Sequence, residues 1–135
     1  MEKRPAQVHK NALYDGEWLE NKPYGRGVLV YANNEIYLGN VDRARRTGYG
    51  LYIYKDGSYY IGDWENDTME GQGSMYNVNG YKYTGAFSDG LENGEGQATF
   101  ANGNIFEGTF TNGKSGTSGK MIFTSGDIYK GKFKN

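Results

Sequence analysis

An all-β fold, built as a meander of about eleven antiparallel strands, is the fold class that this 135-residue sequence predicts. Three observations carry the prediction. A motif of aromatic residue, any residue, glycine, any residue and a bulky residue returns every 23 residues, at Tyr14, Tyr37, Tyr60, Tyr83, Phe106 and Tyr129, with no insertion or deletion. Residue types alternate with period two around each motif, and no stretch carries helical periodicity over a useful length. Asn33-Asn34, Asp56-Gly57, Asn79-Gly80, Asn102-Gly103 and Ser125-Gly126 separate the alternating segments, where hairpin turns need them.

Each repeat supplies two strands. The first strands read YDGEW, YLGNV, YIGDW, YTGAF, FEGTF and YKGKF. The second strands read GRGVLVY, GYGLYIY, GQGSMYN, GEGQATF and TSGKMIF, the last with Thr117 where the others have glycine. Five full repeats and the first half of a sixth therefore make up residues 14–135. Between repeats, a three-residue loop such as Lys55-Asp56-Gly57 fits a type I turn closed by a left-handed residue, a place glycine takes without penalty. That loop pairs Tyr52 with Tyr60, Gly50 with Gly62 and Gly48 with Trp64, whereas a two-residue loop scatters the repeated positions over both faces. Inside the first repeat, a longer loop over residues 19–24 pairs Tyr14 with Leu29, Gly16 with Gly27 and Trp18 with Gly25. Residues 1–13 have two readings. Either QVHKNALY is a degenerate strand and a turn at Lys10-Asn11 leading into the first repeat, or the segment folds back as a cover. At the other end, YKGKFKN reads as an open edge strand, where Lys130, Lys132 and Lys134 discourage pairing with a foreign strand.

In this register the repeated positions share one face. A middle row of glycines, from Gly16 and Gly27 to Gly119 and Gly131, runs between two rows of bulkier residues. One holds Tyr14, Tyr37, Tyr60 and Tyr83; the other holds Trp18, Trp64 and Phe87. Glycine flanked by rings is a channel. Its main reading is structural, with rings leaning over strands that lack side chains; its functional reading is that the channel accepts a partner segment. The opposite face is uneven. Val28, Val30, Ile36, Leu38, Leu51, Ile53, Tyr59 and Ile61 line its N-terminal half, while Gln97, Thr99, Glu107, Lys120 and Lys130 hold matching places later. An apolar block on the second face of a sheet calls for a cover, which is the N-terminal segment, a partner protein or a second copy of the chain. These eight residues are the candidate protein-binding site.

Composition narrows the chemistry. Glycine accounts for 22 residues and tyrosine for 13, so rings and turns do the packing. Net charge is −1, which argues against a nucleic-acid partner and for weak or no membrane contact. There is no cysteine, hence no disulfide and no thiolate chemistry. MEKRPAQVHKN has no apolar stretch of the signal-peptide kind, so a cytoplasmic, unsecreted chain is expected. The single histidine, His9, makes a histidine-based triad or a multi-histidine metal site impossible. The acidic residues Asp63, Glu65, Asp67 and Glu70 read as solvated strand ends. No catalytic residue, metal site or cofactor is expected. Arg43, Arg45 and Arg46 form the one basic cluster. It is either a solvated loop or a contact for lipid headgroups or phosphate, and at about 1 kcal/mol per basic residue near an anionic surface it binds weakly alone.

The pattern YxGxW…GxGxxxY…NG in 23-residue steps resembles the MORN repeat, and the resemblance covers residues 14–133. It implies an elongated, single-layer antiparallel sheet. It also implies a scaffold or protein-interaction role within a larger assembly, often cytoskeletal or ciliary. The alternative that the family suggests is a peripheral phospholipid-binding module.

Overall fold

The computed structural model describes residues 2–133, and none of them is helical. Among the described residues there are thirteen strands, all pairing antiparallel, with the strands of residues 12–65 and those of residues 68–132 each in meander order. Two more strands are present than the repeats alone supply, and both come from the N-terminal segment. The chain divides into two compact units, Met1–Thr68 and Met69–Asn135.

The first unit holds β1 (Glu2–Lys3), β2 (Gln7–His9), β3 (Ala12–Leu19), β4 (Lys22–Tyr31), β5 (Ile36–Asp42), β6 (Arg45–Ile53) and β7 (Tyr59–Glu65). β1 and β2 both pair with β3, through Glu2 opposite Trp18 and Val8 opposite Leu13. The N-terminal segment therefore extends the sheet in its own plane and does not lie across the apolar face. The second unit holds β8 (Thr68–Tyr76, from its second residue), β9 (Lys82–Ser88), β10 (Leu91–Thr99), β11 (Ile105–Thr111), β12 (Lys114–Ile122) and β13 (Ile128–Lys132). Lys130 and Lys132 lie on exposed β13; Lys134 lies outside the described residues.

The loops between repeats are the three-residue kind. Tyr54 and Ser58 close the loop through a 2.8 Å backbone bond, and the Gly57 N–H donates to Tyr54 O at 3.0 Å. Gly57 has φ 95°, a value that would strain any residue with a Cβ. The resulting register matches the sequence reading: Tyr52 opposite Tyr60, Gly50 opposite Gly62, Gly48 opposite Trp64.

The turns inside repeats differ from expectation. In place of a loop over residues 19–24 there is a two-residue turn, Glu20-Asn21, with both residues at positive φ. Tyr14 pairs with Leu29 and Gly16 with Gly27 as expected, but Trp18 pairs with Pro23 rather than Gly25, because the register shifts between Gly16 and Trp18. The same shift occurs between Gly39 and Val41, between Gly85 and Phe87 and between Gly108 and Phe110. The residues counted as loop are thus a tight primed turn followed by the start of a β-bulge on the second strand.

The bulge explains the tyrosines. It takes a backbone carbonyl out of the ladder, and an unpaired carbonyl under a ring is costly. Tyr14 donates its hydroxyl to Glu17 O at 2.6 Å, Tyr37 to Asn40 O at 2.7 Å, and Tyr83 to Ala86 O at 2.8 Å. To reach three residues along its own strand, each ring must lie flat over the glycine row. A Cβ at Gly27 would enter the Tyr14 ring, and one at Gly96 would enter the Tyr83 ring. Tyr14, Tyr37, Tyr60 and Tyr83 are completely buried in this way. Where the bulky residue four places on is aromatic it stands edge-to-face on its tyrosine, as with Tyr14 and Trp18 at 5.2 Å, Tyr60 and Trp64 at 5.3 Å, and Tyr83 and Phe87 at 5.1 Å; Tyr37, followed by Val41, meets Trp64 instead at 5.4 Å. This ring layer is the core of each unit.

Candidate functional site

The channel expected over the glycine row is filled. Tyr14, Trp18, Tyr37, Tyr60, Trp64, Tyr83 and Phe87 are all buried, so the rings close it with their own surfaces. Burial pushes the Tyr14 and Tyr83 hydroxyls up to about 12, and Tyr37 and Tyr60 rise for the same reason. These groups are therefore neutral donors at physiological pH. At the N-terminal edge, Arg4 stacks on Trp18 at 4.7 Å and His9 meets the same ring edge-on at 5.9 Å. Burial, before the charges of Lys10 and Lys22, lowers the pKa of His9.

The opposite face of the first unit is open. Two apolar rows cross it. One runs Val28, Leu38, Leu51, Ile61 across β4 to β7; the other runs Val30, Ile36, Ile53, Tyr59. All eight residues assigned from the sequence are brought together. Leu38 is exposed and the other seven are half-buried by one another. The second row continues into Leu13 and Val8, directly opposite each other and opposite Val30 on the far side of Leu13. Val8 is 72% exposed and Leu13 42%. The sequence reading missed both, although the alternation in residues 8–13 carried the signal.

The second unit places polar residues on the equivalent row. Ser74, Thr84, Gln97, Glu107, Lys120 and Lys130 stand opposite one another in turn across β8 to β13. Ser74 and Thr84 share a 3.1 Å hydrogen bond, and Lys120 lies 3.6 Å from Glu107. This row is saturated with polar contacts where that of the first unit is bare hydrocarbon.

The basic cluster divides in space: Arg43 and Arg45 line one cleft with His9, Lys10 and Lys22, and Arg46 turns away from it. Arg43 lies in a two-residue turn with Ala44 and pairs with its neighbour Asp42 at 3.0 Å. Arg45 donates to Asn66 at 2.9 Å. Arg46 points to the ring side, where its guanidinium lies 4.8 Å from the Trp64 ring centre, 5.0 Å from Tyr52 and 5.7 Å from Tyr31. It pairs with Asp67 at 3.1 Å and donates to Asp67 O. Nearby, Glu35 accepts from the Tyr52 hydroxyl at 2.6 Å, which holds its carboxyl below the usual value. Arg43 and Arg45 thus share a cleft, each with its own polar partner, while Arg46 leaves the surface that adjacency in sequence suggested.

The second unit contains a cleft of about 570 Å³ lined by Tyr81, Phe87, Leu91, Glu92, Phe100 and Phe110 among others. The Tyr81 hydroxyl lies 3.1 and 3.0 Å from the two oxygens of Glu92 and donates its one proton to that carboxylate. Burial raises the pKa of Glu92, and the Tyr81 bond lowers it by less. No group of three or more metal-ligating side chains occurs among the described residues. No helix among them is long and apolar enough to cross a membrane.

Comparison with known proteins gives three findings. A family model for the MORN repeat matches residues 14–36, 37–59, 60–80, 83–105 and 106–128. Alsin from Rattus norvegicus and from Homo sapiens is 53% identical over 30 residues, which is 22% of this chain and 2% of either Alsin chain. Among solved structures, the SAS-4 (dCPAP) TCP domain of Drosophila melanogaster, in complex with a proline-rich motif of Ana2 (dSTIL), aligns with a TM-score of 0.44 and 13% identity. That alignment covers 96% of this chain and 90% of that one.

Proposed function

Because the chain belongs to the MORN-repeat family, whose repeats are protein- or membrane-binding modules, we propose that it is a non-enzymatic protein-interaction or scaffold module that docks a partner protein on the apolar face of its first unit. One observation carries the reading. The two units share one repeat and one backbone role, yet the first leaves Val28, Leu38 and Leu51 in a row that the second fills with Ser74, Thr84, Gln97, Glu107, Lys120 and Lys130. Folding alone requires no such difference. Covering the face removes several hundred Å² of apolar surface, worth on the order of 10 kcal/mol before the costs of association. A cytoplasmic setting in a cytoskeletal or ciliary assembly belongs to the same proposal and rests on family resemblance alone. The membrane alternative draws less support, since Arg43 and Arg46 are paired with carboxylates and Arg45 is held by an amide.

The test replaces Leu38 and Leu51 with serine together. The double variant is expected to keep the sheet, read by circular dichroism, and to lose partner capture or, if the partner is a second copy, self-association in sedimentation. Unchanged capture and unchanged mass would overturn the proposal. Flotation of the parent with anionic liposomes at physiological salt would favour the membrane reading instead.

A further inference from the structure

Arg46 and Glu92 occupy the same position of the repeat, two steps apart. Their backbones are equivalent. Arg46 stands opposite Val41 and Glu92 opposite Phe87, each just after a tight turn. The carbonyl of each accepts a 2.9 Å bond from the next turn, from the Asp67 N–H and the Gly113 N–H respectively. In the first unit this place holds a cation, its guanidinium against Trp64 and Tyr52 and paired with Asp67. In the second unit the cation is replaced by a carboxylate, and the position of Asp67 is taken by Gly113, which has no side chain.

What remains in the second unit is an aromatic cleft with an acid in its wall. Phe110 corresponds to Trp64 in the repeat. Phe87, Phe100 and Tyr81 supply the other rings, in place of Tyr52 and Tyr31. Glu92 accepts the single Tyr81 hydroxyl proton, which is shared between its two oxygens, and has no ion pair among the described residues. A half-buried carboxylate without a counter-ion is unfavourable, and its carboxyl is held above the usual range by burial. Ring faces attract cations, and a planar guanidinium can stack on a ring while presenting its N–H fork to a carboxylate.

We propose that the cleft of Phe87, Glu92, Phe100 and Phe110 receives an arginine side chain from a bound protein segment, completing the arrangement that Arg46 makes within the first unit. This carries the protein-interaction reading to the chemistry of one anchoring side chain, at a site apart from the apolar face. A guanidinium is favoured over a lysine ammonium because the first unit shows this backbone frame packing one between rings and acid.

The test needs no partner, so its failure leaves the docking proposal standing. N-acetyl-arginine amide is titrated into the full chain and backbone amide shifts are followed by NMR, with N-acetyl-citrulline amide as the neutral isostere. Shifts at Gly90, Leu91, Gly113 and Ser115 are expected for arginine, with citrulline weaker by about tenfold, the scale of one charge-assisted contact. Glu92→Gln is expected to bring arginine down to the citrulline level. Glu92→Arg is expected to fill the cleft with its own guanidinium and to abolish the shifts. Retained amide dispersion at second-unit residues outside the cleft, such as Gly96, Thr109 and Lys120, reports that each variant is folded. Equal binding of arginine and citrulline, or full arginine binding by folded Glu92→Arg, would overturn the assignment.

Discussion

The guanidinium carbon of Arg46 lies 4.8 Å from the centre of the Trp64 ring, while its Nε lies 3.1 Å from a carboxylate oxygen of Asp67. The two contacts differ in environment. Trp64 is buried, whereas the Asp67 side chain is 47% exposed. A ring contact on a buried face keeps its strength, while a wet ion pair is screened and contributes at most about 1 kcal/mol. Arg46→Ala should therefore cost about 1–2 kcal/mol, through lost stacking and lost packing of its stem. Asp67→Asn, which keeps an acceptor for the Arg46 N–H, should cost under about 1 kcal/mol. Urea midpoints of the two variants measure this; equal losses would make the ion pair the dominant contact.

Glycines in this chain are required for two different reasons, and substitution separates them. A Cβ at Gly96 would enter the ring of Tyr83, which is locked by its own hydrogen bond to Ala86 O. Gly126 meets nothing within 4 Å but holds φ 95° in a loop. Gly96→Ala is a steric insertion into a packed layer and should cost about 3 kcal/mol or more. Gly126→Ala pays only for the left-handed backbone, about 1 kcal/mol. Thermal melting of both variants should show the larger drop for Gly96.

The register between repeats was legible because glycine turns mark it directly. Once Gly57 was placed at the end of a three-residue loop, the pairs Gly50–Gly62 and Tyr52–Tyr60 followed. The bulge inside each repeat was not legible. A bulge and a primed turn use the same small and polar residues as an open loop, so the Glu20-Asn21 turn and Tyr24 read as one loop over residues 19–24, with Gly25 opposite Trp18. The eight-residue apolar face followed from period two alone. The departure of Arg46 from Arg43 and Arg45 did not, because neighbours in a strand point to opposite faces. The acid in the second-unit cleft was readable only by comparing charge at one position across repeats, as Arg46 and Glu92 show.

Phe106 is the one motif-opening residue without a hydroxyl. The register shift between Gly108 and Phe110 matches that of the other repeats, so Thr109 O stands where Glu17 O, Asn40 O and Ala86 O receive a tyrosine. Phe106→Tyr should place a donor there and stabilise the second unit by about 0.5–1.5 kcal/mol. Tyr83→Phe, which strands the Ala86 carbonyl, should destabilise by about 1–3 kcal/mol. Opposite shifts of the urea midpoint are the expected outcome, and a destabilised Phe106→Tyr would show that the ring cannot reach.

The last prediction concerns acid. Burial raises the folded pKa of Glu92 above the ordinary glutamate value of 4.5, and Tyr81, the titratable group bonded to it, is itself raised by burial and stays neutral. A carboxyl raised on folding binds its proton more tightly in the folded state. Its contribution to stability is complete below the unfolded value and disappears as pH rises through the folded one. Asp56 and Glu35 act in the other direction. Their folded values are lowered, Asp56 by backbone bonding to Ser58 and Glu35 by the Tyr52 hydroxyl, so they contribute above the unfolded value and lose it as pH falls. The parent's profile mixes both trends, and Glu92→Gln removes only the first. The stability of Glu92→Gln relative to the parent should therefore rise as pH increases from about 4 to neutrality, because the parent must ionise a half-buried acid and the variant need not. Chemical denaturation at a series of pH values measures the difference, and a difference that stays flat or falls with pH would mean that burial does not raise the Glu92 carboxyl in the folded chain.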